Sequence, residues 1–378
     1  MRASKDSTRE GTVVTIVSGT PSILLIDDDE DLLTKLESAL RTELSSRDVE
    51  VKTWLPRESD ANPYDAFASH VDDLTVLVIT DYDLTRQGVT GLFGLTIVGW
   101  CKARSLPVGD YSRIVDVNLP EDPDLFELRV PTSVEKAAAF AASTFRGFQD
   151  LRDMVENQSA GLSDSPSLAG VLSILLGRPY LENQLSLYMA RFGLANSSLL
   201  MRLREDGGGP SRERDDLMVY VLGHLLVNVI LKYPGPILSE AALCAYLSTE
   251  IGEFENVADL FDGSRYQGPF ANPGQYFWRD DVDQVLDELA VSIRDEEYES
   301  FGDFNRKVVE LKLGRELAKH GCTRCDGQKG GYWCPFTKRP VCERSDCSVV
   351  ATNWIPAGAQ LCRVEREFYD EWGPILGL

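Results

Sequence analysis

The chain has 378 residues, 43% hydrophobic and 26% charged, ordinary globular proportions that exclude wholesale disorder. Sixty acidic residues against 38 basic ones give a formal net charge of −22, the wrong sign for a protein that coats nucleic acid over its whole surface. At about 100–200 residues per domain, this length predicts two or three domains.

In chain order, residues 1–20 lack an apolar core and predict a disordered tail rather than a signal peptide. Residues 21–156 alternate strand and helix patterns. Ser22–Ile26 reads as a buried strand, Leu32–Leu44 as an amphipathic helix, and Val49–Leu55 and Leu74–Thr80 as further strands. Gly91–Arg104 reads as a helix, Arg113–Leu119 and Phe126–Val130 as short strands, and Ser133 to about Glu156 as a helix capped by Ser133. Strands alternating with helices predict a doubly wound α/β fold, with a parallel five-stranded sheet covered on both faces.

Residues 157–166 (NQSAGLSDSP) read as a linker. Residues 167–319 predict an α-helical domain, with segments at Leu168–Leu176, Leu181–Phe192, Asp215–Lys232, Ser239–Ile251 and Asp280–Ile293. Tyr266–Trp278, rich in Gly, Pro and aromatics, reads as an irregular loop. The longest apolar run, Leu217–Leu231, is too short for a bilayer and contains His224 and Asn228. A soluble, cytoplasmic protein without a membrane partner is therefore expected. His224, in an apolar helix, is read as a core histidine. Residues 320–378 predict a zinc-binding module and a C-terminal tail.

Two clusters carry chemistry. The first strand ends in Asp27, Asp28 and Asp29, and Leu74–Thr80 ends in Asp81, with Asp83 two residues on. In a doubly wound sheet, ligands sit beyond the carboxyl ends of the strands. If these strands are neighbours, Asp27, Asp28 and Asp81 converge there, and a hard divalent cation, Mg²⁺ by abundance, relieves their repulsion. Asp29, Glu30 and Asp31 read as first-turn residues of the following helix.

ILLIDDDEDL, followed about 50 residues later by VLVITDYDL, resembles the receiver domain of two-component response regulators, a flavodoxin-like fold. The resemblance covers roughly residues 20–155. It implies that Asp81 is the phosphoacceptor, Asp28 a direct Mg²⁺ ligand, Asp27 its partner through water, and the Asp83 carbonyl a further ligand. Receivers also carry a Thr or Ser at the end of the fourth strand, where this chain has Val117 or Asn118. They carry a Lys after the fifth strand, where Val130 and Pro131 stand and Lys136 lies too far along. Pro120–Leu125 is too short for the usual fourth helix. The expectation is a degenerate receiver that binds Mg²⁺ without an efficient phosphorylation switch.

The second cluster holds five of the eight cysteines: Cys322, Cys325, Cys334, Cys342 and Cys347. Tetrahedral Zn²⁺ takes four thiolate or imidazole ligands, and a short loop-rich segment needs such a centre to stay folded. GGYWCPFTKRPVC reads as a hairpin turning at Thr337–Pro340, with Cys334 and Cys342 opposite each other at its base. The expected ligands of a structural zinc are Cys322, Cys325, Cys334 and Cys342, with Cys347 as substitute or neighbour; His320 adds a further donor nearby.

Two functions compete. The favoured one is a non-enzymatic regulatory or adaptor subunit acting through protein contacts. Atypical receivers of this layout resemble those of bacterial antiviral defence operons, which implies a histidine-kinase-like ATPase or a nuclease subunit as partner. The rival is a nucleic-acid-binding effector. Ten basic residues against four acidic ones lie between Arg306 and Arg344, and a hairpin bearing Lys338 and Arg339 beside Tyr332, Trp333 and Phe336 would grip a strand.

Overall fold

A computed structural model describes residues 19–45, 48–57, 62–85, 91–111, 125–162, 167–195, 212–290, 298, 300–320, 322, 324–325 and 330–374. The expected tail before residue 19 and the glycine-rich Gly207–Gly209 lie outside them.

Five strands, β1 (Ser22–Ile26), β2 (Glu50–Trp54), β3 (Thr75–Asp81), β4 (Val108–Tyr111) and β5 (Leu128–Arg129), form one all-parallel sheet in the order β2-β1-β3-β4-β5. This is the order of flavodoxin-like doubly wound sheets. Every residue of β1 and β3 is buried, because helices cover both faces and side chains alternate between them. Ile23 and Leu25 pack under Leu36 and Leu40 of α1 (Glu30–Glu43) and Phe145 of α4 (Val134–Leu162). Leu24 and Ile26 face Phe67 of α2 (Pro63–His70) and Ile97 of α3 (Gly94–Ala103).

Caps explain where the helices begin. Asp29 accepts from the Leu32 N–H at 3.1 Å, and Asn62 caps α2 with Pro63 in its first turn. Sequence reading missed α2, although its Asn-Pro start was a signal. In α4, Ala137, Ala138, Ala141 and Ala142 are buried where the helix approaches the sheet, and Phe145, Phe148, Leu151 and Val155 continue the apolar stripe.

Three boundaries are corrected. The fourth strand of the sheet is Val108–Tyr111; the expected strand Arg113–Leu119 falls within residues 112–124, which lie outside those described. The interval before β5 is therefore residues 112–127 rather than the short Pro120–Leu125. The α4 helix continues into the expected linker as far as Leu162; residues 163–166 lie outside those described. Its polar 157–158 pair belongs to a helix surface, where polar composition does not by itself break a helix.

The following region holds α5 (Leu168–Leu175), α6 (Glu182–Ala195) and the helix Arg212–Leu225, which runs into a π-turn at Leu226–Ile230. It is not wholly helical: β6 (Ile237–Ser239) pairs antiparallel with β7 (Tyr276–Trp278), the end of the supposed irregular loop. Helices Glu240–Tyr246, Arg279–Leu289 and Phe301–Leu313 build a second apolar cluster around Phe261 and Phe277. The main cluster runs without a break from Ile23 through Phe148 and Tyr220 to Phe336 and Trp354. His224 is fully buried among Phe126, Phe148 and Tyr220, with Nδ1 2.7 Å from the Tyr220 carbonyl. No helix among the described residues is long and apolar enough to cross a membrane.

Candidate metal centres

At the carboxyl end of the sheet, Asp27 follows β1 and Asp81 closes the adjacent β3. The chain leaving β1 runs to β2 on one side and the chain leaving β3 runs to β4 on the other, so a crevice opens between them. One carboxylate oxygen from each of Asp27, Asp28 and Asp81 falls within 4.8 Å of the others, and all three residues are buried. Asp29 N–H donates to Asp27 Oδ1 at 2.7 Å, and Tyr82 N–H to Asp81 Oδ1 at 2.8 Å. Two unit charges 4 Å apart repel by about 4 kcal/mol at an effective dielectric of about 20. A cation or a proton answers this repulsion, and the all-oxygen donor set suits a hard divalent ion.

Tyr111 was not foreseen at this site. It ends β4 in register with Asp81, and its hydroxyl donates to Asp27 Oδ2. Thus Tyr111 stands at the end of the fourth strand beside Asp81; Val117 and Asn118 lie outside the described residues. The Asp83 carboxylate is not part of the trio and accepts from the Thr85 N–H at 3.2 Å; its carbonyl is the group the resemblance assigns. At the fifth strand, the Val130 N–H donates to the Asp110 carbonyl at 3.0 Å.

Burial raises the Asp27 carboxyl above its ordinary value of 3.8; the Tyr111 and Asp29 hydrogen bonds oppose this, and the charges of Asp28 and Asp29 add to it. The native state therefore holds more protons at Asp27 than the unfolded chain. With chelator present, this contribution is complete below about pH 3.8 and is lost as pH rises through the raised native value. Asp27→Asn should remove that slope and stabilise the metal-free protein at pH 7 relative to wild type. Thermal melts between pH 4 and 7 would show it; identical slopes in wild type and variant would refute it.

The second centre is C-terminal. Cys322, Cys325, Cys342 and Cys347 bring their sulfurs within 4.8 Å of one another, all buried, with Cys325 Sγ 3.2 Å from Cys342 Sγ. Two tight turns set the spacing: Cys325 N–H donates to the Cys322 carbonyl at 3.2 Å, and Cys347 N–H to the Arg344 carbonyl at 2.9 Å. Burial pushes the Cys342 thiol up to about 12, aided by its contact with Cys325, and also raises Cys347. Burial opposes ionisation of Cys322 too, but the Arg324 backbone N–H and neighbouring thiols outweigh it and lower that thiol. Four such sulfurs can hold a metal ion, whose charge replaces the thiol protons.

The fourth sulfur thus comes from Cys347, and the expected place of Cys334 is corrected. In the hairpin β8 (Tyr332–Cys334) and β9 (Arg339–Val341), Cys334 pairs with Arg339 rather than with Cys342. Strand alternation puts it on the face of Tyr332 and Val341. There it joins the main apolar cluster and its Sγ accepts from the Glu365 N–H at 3.3 Å. His320 stands outside the cysteine cluster; burial lowers its imidazole to about 4.

Of the residues considered for strand binding, Arg339 lies 3.6 Å from Glu365, and Lys338 is exposed in the hairpin turn. Trp333 and Phe336 are buried, so their rings do not form an exposed surface on which a strand could lie. Trp354 and Ile355 are buried as an anchor, with Trp354 against Phe336, Phe368 and Tyr369. Compared with protein-family models and with curated proteins, the chain matches none.

Proposed function

We propose that the chain is a non-enzymatic regulatory or adaptor subunit built on a degenerate receiver. In this reading Asp27, Asp28 and Asp81 bind Mg²⁺, and the four-cysteine centre holds a structural Zn²⁺. The observation that carries it is the buried carboxylate trio at the β1/β3 crevice, with the Tyr111 hydroxyl on Asp27. Receivers use a small hydroxyl beside the phosphoacceptor to hold a phosphoryl oxygen. A tyrosine ring in that position, in register with Asp81, takes up the space and occupies one of the carboxylates. Val130 and Pro131 stand where receivers place the lysine that answers phosphorylation.

A four-thiolate shell closes a tetrahedral ion and leaves no position for a substrate, which favours a structural metal. Protein contact is supported near the acidic crevice. Phe93 and Leu95 are 44% and 54% exposed at the start of α3, and the Gly94 N–H between them donates to the Tyr82 carbonyl at 2.8 Å. A partner seated on these residues reads the backbone next to Asp81. The bacterial defence setting rests on the resemblance alone.

The test uses thermal melts and capture of the native complex. Mg²⁺ should raise the melting temperature, Asp81→Asn should change that response, and beryllofluoride, which stands in for an aspartyl phosphoryl group, should add nothing. Phe93→Asp combined with Leu95→Asp should strip the bound partner from the captured protein. A further shift with beryllofluoride, or labelling by a small phosphodonor that is lost in Asp81→Asn, would instead make this a working receiver with a histidine kinase as partner.

A further inference from the structure

A cavity of about 720 Å³ lies between the helix Glu240–Tyr246 and the β8–β9 hairpin, away from the acidic crevice. This is within the size range of small-molecule sites, about 300–1,000 Å³. Its walls include Trp333, Tyr276 and Leu231, its charged groups are Lys232, Lys338 and Glu250, and His320 also lines it.

His320 is only 2% exposed, yet among the described residues its Nε2 finds no hydrogen-bond partner. Ser248, joined to it by the His320 N–H donating to the Ser248 carbonyl at 3.0 Å, is 1% exposed, and its Oγ is likewise unsatisfied. Both side chains lie against Gly330, where an added Cβ would run into Ser248 Oγ and stand 3.3 Å from His320 Cδ2. Leaving a buried polar atom unpaired costs about 1–3 kcal/mol, and native structures rarely carry two such atoms together without a reason. A ligand that hydrogen-bonds His320 supplies one.

The remaining groups restrict what that ligand is. Trp333 and Tyr276 present aromatic surface, which favours a flat ring. Two lysines against one glutamate make the lining locally cationic in a chain of net charge −22, which favours an anion. A neutral hydrogen-bonding edge must also reach the imidazole. We propose that this cavity binds a small anionic heteroaromatic molecule, nucleoside monophosphate in size and chemistry, with its ring by Trp333 and Tyr276, a polar ring edge on His320 Nε2 and its anionic group at Lys232 and Lys338.

The test is calorimetric titration of the full-length protein with AMP, GMP, CMP and UMP in turn, with adenosine and ribose 5-phosphate as controls. At least one nucleotide should bind one per chain, tighter than about 1 mM, with adenosine and ribose 5-phosphate each at least about tenfold weaker. His320→Gln should weaken binding. Lys338→Glu, at an exposed position that leaves the core untouched, should weaken it at least about tenfold without lowering the melting temperature. Failure of all four nucleotides, binding of ribose 5-phosphate as tight as the nucleotide, or wild-type affinity in Lys338→Glu would each overturn the proposal.

Discussion

Replacing Cys342 by serine should empty the C-terminal metal centre, whereas Cys334→Ser should leave it loaded. Cys342 Sγ lies 3.2 Å from Cys325 Sγ, inside the group of four sulfurs. Cys334 faces the apolar cluster and meets the Glu365 N–H instead. Structural zinc contributes about 10–16 kcal/mol to the folding of small thiolate-rich peptides, so loss of one ligand should release most of the local stability. Wild type and Cys334→Ser should each carry close to one metal per chain by atomic emission, and Cys342→Ser close to none. In Cys342→Ser, or after chelation, protease should cut the region between Cys322 and Cys347 first. Metal loss in Cys334→Ser with retention in Cys342→Ser would reverse the ligand assignment.

Phe148→Ala should cost about 3–5 kcal/mol, the usual range for emptying a buried phenylalanine site. The ring is fully buried, edge-on to Phe270 at 5.1 Å and 5.3 Å from the His224 ring. Gly223 on the helix Arg212–Leu225 has no room for a Cβ because Phe148 fills that space, so few neighbours can move in to close the void. Phe148 sits on α4, which also covers the parallel sheet through Phe145. The loss should therefore shift one cooperative urea transition to lower denaturant, with circular dichroism and tryptophan fluorescence moving together. Two separated transitions, with the sheet unaffected, would show that the regions fold independently.

The sequence by itself determined the parallel sheet's central strands and both candidate metal centres in outline. Ile23–Ile26 and Val76–Ile79 are continuous apolar runs, a pattern that burial on both faces satisfies, and the acids that follow them mark the crevice. Cys322 and Cys325, separated by two residues in a cysteine-rich segment, needed no structure to suggest a metal. Tertiary structure decided what depends on pairing between distant residues. Val108–Tyr111 contains Gly109 and Asp110 and makes a weaker strand pattern than Arg113–Leu119, yet it is the segment that pairs with β3. That register brings Tyr111 to Asp27, across a separation of 84 residues that no local pattern reveals. The three-residue strands β6 and β7 are likewise too short to announce themselves and exist through their mutual hydrogen bonds. The choice of Cys347 over Cys334 follows from hairpin register, because a strand's side chains alternate between faces and a shift of one position reverses them.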